Sequence, residues 1–465
     1  MGAMMLITAI FALRGLGQRS LWVDEGFSAA AAGSNGRLIG TYRSGPQFAL
    51  YYTLLRGWST LGSSEFALRL LSVVFAVLTI PALYWLARRL YGTKAAMVAV
   101  VVLCANGFFL GYAQEARPYA LVTLTSTVAT LCLVRALDDP DRPGRWTAWA
   151  LAATVATLSH PFGVLTVAAH VIVLLIRHRS VPLRDIAYTL ALPAGLFGSL
   201  GLLLLQAGPA RLSWIPVPGG ETFVRAAFEL SGSRGAGTFI VYLVGVGALA
   251  VAVARARPER RRQLRKATVV VAAAVVTPIA GALLASAVQP LFVARYLIVI
   301  LPPLAIIVGA GVAQLRPAVA IVVMAALLTV ALPTVISPIR AQPIEDWRGA
   351  AALVEAGGRA DDVVILPLYG AQVLSYYLKR DARGASTPST VYEGVFLLSD
   401  TAPPQPCHLR GVWLMIAGPG LYVSAERLEA THEVTQSSPL QGITVLRLDR
   451  RATAGPALPA EQPCA

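Results

Sequence analysis

Arg255-Ala-Arg257-Pro-Glu-Arg260-Arg261-Arg262-Gln-Leu-Arg265-Lys266 separates two long apolar runs, residues 237–254 and 267–287. A bilayer crossing needs about 20 apolar residues. A basic link between two such runs marks the side of the membrane where positive charge is retained. Outward from this link the same alternation recurs. Further runs lie near 2–17, 66–87, 95–112, 117–136, 146–160, 162–176, 186–206, 293–312 and 317–336. The chain therefore reads as a polytopic α-helical membrane protein of about 11 spans. The pair near 146–176 is short and turns at Ser159-His160-Pro161.

Composition agrees. The 465 residues are 56% hydrophobic and 14% charged, with a mean hydropathy of +0.64. A soluble domain carries about 25% charged residues, so lipid must cover much of this surface. The net charge of +15 could suggest nucleic acid. Its distribution excludes that reading, because the arginines collect in short links between apolar runs. Arg88, Arg89 and Lys94, then Arg135, Arg142 and Arg145, then Arg177, Arg179 and Arg184, then the 255–266 cluster, then Arg316 all fall on one side. That side is cytoplasmic, together with the N-terminus, in a multi-pass plasma-membrane arrangement. Residues 18–65, 113–116, 207–236, 288–292 and everything after about 337 then face outward. Only Lys94, Lys266 and Lys379 are lysines, a usage associated with GC-rich bacterial genomes.

Residues 337–465 read as an extracytoplasmic α/β domain. Glu345-Asp-Trp347-Arg348 opens a helix that Gly357-Gly358 ends. Val363–Leu366, Val412–Ile416 and Ile443–Leu446 read as strands, and Ala371–Leu378 as a second helix. The Pro-rich tail after Ala452 has the composition of a disordered segment. Cys104 and Cys132 lie inside apolar runs and read as core residues. Cys407 and Cys464 lie on the outer side, where they either form a disulfide or remain two thiols.

Three outer segments carry groups capable of chemistry. The first loop, 18–65, holds Trp22, Asp24, Glu25, Arg43 and the aromatic cluster Phe48, Tyr51 and Tyr52. Asp24 and Glu25 follow the first span directly, where a carboxylate could take a proton from a hydroxyl meeting a lipid-borne substrate. They could equally favour the start of a helix. The second segment is Tyr112-Ala-Gln114-Glu115-Ala-Arg117-Pro118-Tyr119, a short outward link in which arginine is statistically disfavoured. Arg117 there binds a phosphate or pairs with Glu115. The third is Gln289-Pro-Leu-Phe292-Val-Ala-Arg295-Tyr296, where Arg295 binds a lipid phosphate or reaches ordinary headgroups. His160 stands alone in its turn, where a structural hydrogen bond explains it better than metal ligation. No clustered His/Cys spacing suggests a metal, and no glycine-rich phosphate loop suggests a nucleotide sugar.

The order of these motifs resembles that of the GT-C superfamily of glycosyltransferases. The likeness is to bacterial relatives of the family 39 protein mannosyltransferases and to the lipid A aminoarabinose transferases. Ser20-Leu-Trp-Val-Asp24-Glu25-Gly-Phe-Ser28 is similar to the acidic motif of their first outer loop. Arg69-Leu-Leu-Ser72 through Tyr84-Trp-Leu-Ala-Arg88-Arg89-Leu-Tyr-Gly92, the 112–119 segment, and Phe292-Val-Ala-Arg295-Tyr296-Leu with Leu301-Pro302-Pro303 follow in the same order. The resemblance covers roughly residues 18–315. It implies a GT-C catalytic domain at 1–336 and inverting transfer of a sugar from a polyprenyl-phosphate donor to an extracytoplasmic hydroxyl in a cell-envelope acceptor. It implies Asp24 as base with Glu25 beside it, and Arg117 and Arg295 on the donor phosphate. Trp22, Arg43, Tyr51, Tyr52, Tyr112, Glu115, Tyr119, His160 and Tyr296 become candidates for substrate contact. A divalent metal is compatible with such enzymes; no cofactor is implied with certainty. Mannose or arabinose in an actinobacterial envelope would suit the resemblance and composition together.

One departure concerns Ser44-Gly45-Pro46-Gln47-Phe48-Ala-Leu50-Tyr51-Tyr52. Many relatives carry His-Pro-Pro-Leu-Tyr-Tyr there, so their substrates do not carry over. The alternative from another class is a transporter or flippase of lipid-linked sugars with an extracytoplasmic lid. Transporters place polar groups at mid-membrane in repeated halves. Here the polar groups gather at the outer ends of spans, and no repeat is visible.

Overall fold

The computed structural model describes residues 1–33, 46–177, 215–337, 345–359, 362–366, 370–381, 390–393, 410–417, 428 and 430–454. The expected span at 186–206, Arg43, Cys407, Cys464 and the tail beyond residue 454 lie outside the described residues. In chain order the helices are α1 (Gly2–Leu13), α2 (Val23–Gly33), α3 (Ala49–Ser59), α4 (Glu65–Tyr91), α5 (Thr93–Cys104), α6 (Gly107–Ala113), α7 (Tyr119–Asp138) and α8 (Pro143–Ser159). They continue as α9 (Gly163–Ile176), α10 (Gly220–Leu230), α11 (Ala236–Arg255), α12 (Pro258–Ser286), α13 (Leu301–Val312), α14 (Pro317–Ile336), α15 (Trp347–Gly357) and α16 (Ala371–Asp381). The strands are β1 (Val363–Leu366), β2 (Thr390–Glu393), β3 (Gly411–Ile416), β4 (His432–Leu440) and β5 (Ile443–Arg450). Two compact units result. The first comprises Met1–Leu16, Gly36–Trp58 and Arg69–Ala341, and the second Gly17–Asn35, Ser59–Leu68 and Gln342–Ala465.

The first unit is helical. Among the described residues six helices are long and apolar enough to cross a membrane: α4, α7, α11, α12, α14, and the run Ala294–Val312 that ends in α13. Each of the ten expected spans on described residues contains helix, but not always as one straight span. The run at 95–112 is broken into α5 and α6, bent by 64°. Asn106 stands at the break. Its side chain accepts the Phe109 N–H at 2.8 Å, and its Nδ2 donates to the Leu230 carbonyl and the Tyr242 hydroxyl. Such partners replace those lost where a helix is interrupted in an apolar setting. The run at 293–312 starts as a 3-10 helix, Ala294–Ile300. Helices α1 and α9 have 12 and 14 residues. At 1.5 Å per residue they reach about 18 and about 21 Å, short of an apolar thickness of about 30 Å.

Prolines open α8, α12 and α14, where the missing N–H costs no helical bond. The basic links meet at one end of this unit. Arg89 pairs with Asp138, the Tyr91 hydroxyl bonds Thr268 at 3.0 Å, and Arg260 donates to Gln314 at 2.8 Å. Helix α14 leaves Ile321 and Val322 about two-thirds exposed, at 68% and 67%. An apolar face of that kind requires lipid. Inside the unit, α11 and α13 cross so closely that a Cβ on Gly311 would lie 1.8 Å from the Gly245 carbonyl oxygen. Only glycine permits that crossing, as at many packed membrane helices.

The second unit is built on a five-stranded sheet in the order β2-β1-β3-β5-β4. Strands β2, β1 and β3 are parallel, while β5 runs antiparallel to both β3 and β4. Sequence periodicity leaves β2 and β4 unassigned. Strand β4 reads His-Glu-Val-Thr-Gln-Ser-Ser-Pro-Leu, exposed over most of its length and bulged between Val434 and Gln436. That is an edge strand, protected by Pro, charge and a bulge, rather than a run of apolar residues. Gly442, with φ of 70°, supplies the left-handed residue of the β4–β5 turn. Within the sheet, Arg447 forms a buried ion pair with Asp362, and Asp362 also accepts the Trp413 indole N–H at 3.2 Å. Asp346 caps α15 by accepting the Gly349 N–H at 2.9 Å. Helix α2, from the first loop, packs on α16: a Cβ on Gly26 would lie 2.4 Å from Val373 Cβ.

Candidate active site

In the first unit the candidate groups lie at the helix ends opposite the basic links. Arg117 immediately precedes α7, which ends near Arg135. Arg295 lies at the start of the Ala294–Val312 run, whose other end is followed by Arg316, and His160 follows α8, which starts beside Arg142. His160 ends α8 because Pro161 disfavours helical backbone in the residue before it, and its own backbone is extended. Arg117, Arg295 and His160 are all buried, at 5%, 4% and 2% exposure. The guanidinium of Arg117 lies 5.0 Å from the centre of the Phe48 ring and donates to the Tyr52 hydroxyl at 3.5 Å. Rings close around His160: Phe48 at 5.4 Å, Tyr296 at 5.6 Å and Tyr119 at 5.7 Å between centroids. Tyr112 packs edge-on against Tyr119 at 4.8 Å. The charges of both Arg117 and Arg295 act on the His160 imidazole.

Neighbouring bonds hold this arrangement. Tyr51 bonds Ser72 at 3.2 Å, and Ser72 donates to the Arg117 carbonyl at 3.3 Å. Gln114 donates to the Phe11, Ala12 and Arg14 carbonyls at 3.0–3.1 Å, satisfying the open C-terminal end of α1. Glu115 is buried in the same turn. The structure therefore gathers Tyr52, Tyr112, Arg117, Tyr119, His160, Arg295 and Tyr296 from four separate stretches of sequence. Phe48 and Phe162, the latter 5.2 Å from Tyr296, join them. Their only mark in the sequence is aromatic character beside a candidate polar residue.

Trp22, Asp24 and Glu25 lie in the second unit. Asp24 and Glu25 occupy the first turn of α2. Glu25 is fully buried and its Oε2 accepts the Trp22 N–H at 3.4 Å, so the helix start is served by Glu25. Asp24 is half-buried. The backbone leading into α2 is gripped by residues far along the chain. The Tyr377 hydroxyl accepts the Leu21 N–H at 2.7 Å and donates to Glu65 at 3.2 Å. Glu65 also takes the Arg348 guanidinium at 2.7 and 3.1 Å, and the Arg348 N–H donates to the Ser20 hydroxyl. Glu345 accepts the Trp347 indole N–H at 2.7 Å and the Val23 backbone N–H. Burial pushes the Glu345 carboxyl up, and the Asp24 charge adds to that; the two hydrogen bonds oppose it. Burial likewise pushes the Tyr377 phenol up to about 12. Nothing in the sequence links Tyr377 or Glu345 to the first loop, because about 320 residues intervene. Among the described residues no three His, Cys, Asp or Glu side chains come together as a metal site.

Residues 48–200 match the family model described as dolichyl-phosphate-mannose-protein mannosyltransferase. No curated protein sequence matches the chain. Among solved structures, ArnT from Cupriavidus metallidurans bound to undecaprenyl phosphate is similar at a TM-score of 0.62 and 14% identity, over 98% of each chain. The oligosaccharyltransferase of Archaeoglobus fulgidus is similar at 0.53 and 10% identity, over 88% of this chain and 69% of that one. The arabinofuranosyltransferase AftD from Mycobacteria is similar at 0.53 and 13% identity, over 97% of this chain and 40% of that one. The fold is similar to that of these glycosyltransferases, and the apolar helices among the described residues are those of a multi-pass membrane protein. The likeness to ArnT extends over nearly the whole of both chains, while the mannosyltransferase family match is confined to residues 48–200.

Proposed function

We propose that the protein moves a sugar from a polyprenyl-phosphate carrier to a hydroxyl acceptor on the outer side of the membrane, with inversion at the anomeric carbon. The observation that carries this reading is the pair of buried guanidiniums, Arg117 over the Phe48 ring and Arg295 over the Tyr296 ring, two rings that both pack on the His160 imidazole. Concentrated positive charge in an apolar setting suits a phosphate, and Arg can bind it bidentately. The undecaprenyl phosphate bound to ArnT supports the choice of donor class.

In this mechanism Asp24 takes the proton from the acceptor hydroxyl as its oxygen attacks the anomeric carbon. The bond from that carbon to the phosphate oxygen breaks, and the phosphate keeps the electron pair. Arg117 and Arg295 stabilise the charge that develops on it. Glu25 keeps the start of α2 ordered, and the rings around His160 form a wall for the donor. The acceptor is a cell-envelope glycan, lipid or protein. The matched family and AftD make mannosyl and arabinofuranosyl donors the first to try.

The test is transfer by purified protein from a panel of polyprenyl-phosphate sugars. Asp24→Asn should lower kcat by about 100-fold or more while donor binding is kept. Arg295→Ala should chiefly weaken donor binding. Full turnover in the Asp24 variant refutes the base assignment, and unchanged donor binding in the Arg295 variant refutes the phosphate assignment.

A further inference from the structure

We propose that His160 is a third ligand of the donor phosphoryl group, giving it a hydrogen bond from Nε2–H. This rests on the reading of Arg117 and Arg295 as phosphate ligands and adds a neutral donor to them. The first observation is a hydrogen bond that fixes the tautomer. His160 Nδ1 accepts the Phe162 backbone N–H at 3.1 Å. A ring nitrogen that accepts carries no proton, so the neutral imidazole holds its proton on Nε2. That nitrogen is therefore a donor.

The second observation is where this donor ends. Nε2 is buried and has no hydrogen-bond partner among the described residues. A buried donor left unmade costs about 1–3 kcal/mol, so a native site that keeps one invites a ligand. The imidazole's other neighbours meet it through ring faces and edges rather than through acceptors. A second polar atom without a hydrogen-bond partner among the described residues lies in the same cluster, the hydroxyl of Tyr112, whose residue is 1% exposed.

The third observation decides what kind of acceptor fits. The Arg117 guanidinium lies 5.0 Å from the Phe48 ring centre and that of Arg295 5.6 Å from the Tyr296 ring centre, and both rings pack on this imidazole, so an acceptor that reaches Nε2 sits near two positive charges. An anionic oxygen gains from that field, whereas a neutral sugar hydroxyl gains little. A phosphoryl oxygen satisfies the geometry and the charge together. With its Nδ1 tied to the backbone of its own turn, the ring cannot rotate away, so the donor is held in place before the ligand arrives.

Two substitutions separate the two ring nitrogens. Glutamine can place its amide N–H where Nε2 stands. Asparagine reaches only as far as Nδ1 and can replace just the bond to Phe162. The measurement is the affinity of full-length protein in nanodiscs for undecaprenyl phosphate, with undecaprenol and inorganic phosphate as separate arms. His160→Gln should stay within about 3-fold of the parent, while His160→Asn and His160→Phe should lose about 10- to 100-fold. Undecaprenol binding should not respond to any of the three. If Asn binds as well as the parent and Gln does not, His160 serves only its turn and the proposal fails. Parent-like binding in all three also overturns it. Arg295→Ala, measured alongside, separates this from the reading beneath it. Unchanged binding there sinks the phosphate site itself, whereas loss there with no loss in His160→Asn and His160→Phe sinks only the third ligand. A measurement on the unmutated protein covers the case of misfolded variants. The His160 Nε2 resonance of 15N-histidine-labelled protein should shift with undecaprenyl phosphate and not with undecaprenol, and an unmoved resonance overturns the proposal.

Discussion

Glu345 is the carboxyl whose surroundings most oppose its ionisation near Asp24. Burial raises its pKa first, the Asp24 charge adds to that, and the bonds from Trp347 and Val23 offset part of it. Its folded pKa therefore lies above the unfolded value of about 4.3. A group raised in this way contributes stability that is fully present below the unfolded pKa and is lost as pH rises through the folded value. Glutamine can keep the carbonyl that accepts the Trp347 N–H and carries no charge to bury. Glu345→Gln should thus gain stability relative to the parent as pH rises from 4 to 7, read as the difference in Tm of the purified proteins. A difference that stays constant over that range would count against the burial argument.

At the scale of the element, α2 owes its position to α15 and α16 rather than to its sequence neighbours. The Tyr377 hydroxyl is the link with two strong bonds, to the Leu21 N–H and to Glu65. Tyr377→Phe leaves a buried N–H and a carboxylate short of a partner, at a cost of about 1–3 kcal/mol. Because Leu21 leads into the turn that holds Asp24, the variant should lose kcat more than donor affinity. Equal donor binding with unchanged kcat would show that this bond does not position Asp24. The elements themselves differ in how legible they are from sequence. Helix α15 is readable because Asp346 and Gly358 are local signals at its two ends, and β1 because its apolar run is short and bounded. The break between α5 and α6 is not, since Asn106 interrupts an otherwise apolar run and its partners Leu230 and Tyr242 are remote. The cluster around His160 is legible as individual residues because Arg117 and Arg295 stand apart from the basic links. Its closure by Phe48 and Phe162 depends on tertiary packing.

For the whole molecule, the basic links that join through Arg89–Asp138 and Arg260–Gln314 should lie on the cytoplasmic side. Gly144 stands in one of these links and Gly219 near the opposite helix ends. Both have open space where a side chain would sit. In a background with Cys407 and Cys464 replaced by serine, Gly219→Cys should react with an impermeant maleimide on intact cells. Gly144→Cys should react only after lysis. The reverse pattern would invert the orientation.

The pairing of Gly26 with Val373 also sets an order of events during synthesis. Helix α2 leaves the ribosome almost 350 residues before the helix it packs against. At about 5–20 residues per second that is a delay of roughly 20–70 s. Throughout that interval the acidic helix has no docking partner, so a half-made chain already inserted in the bilayer holds its carboxylates out of register. On the proposed role of Asp24 as base, transfer would begin only once translation is nearly complete.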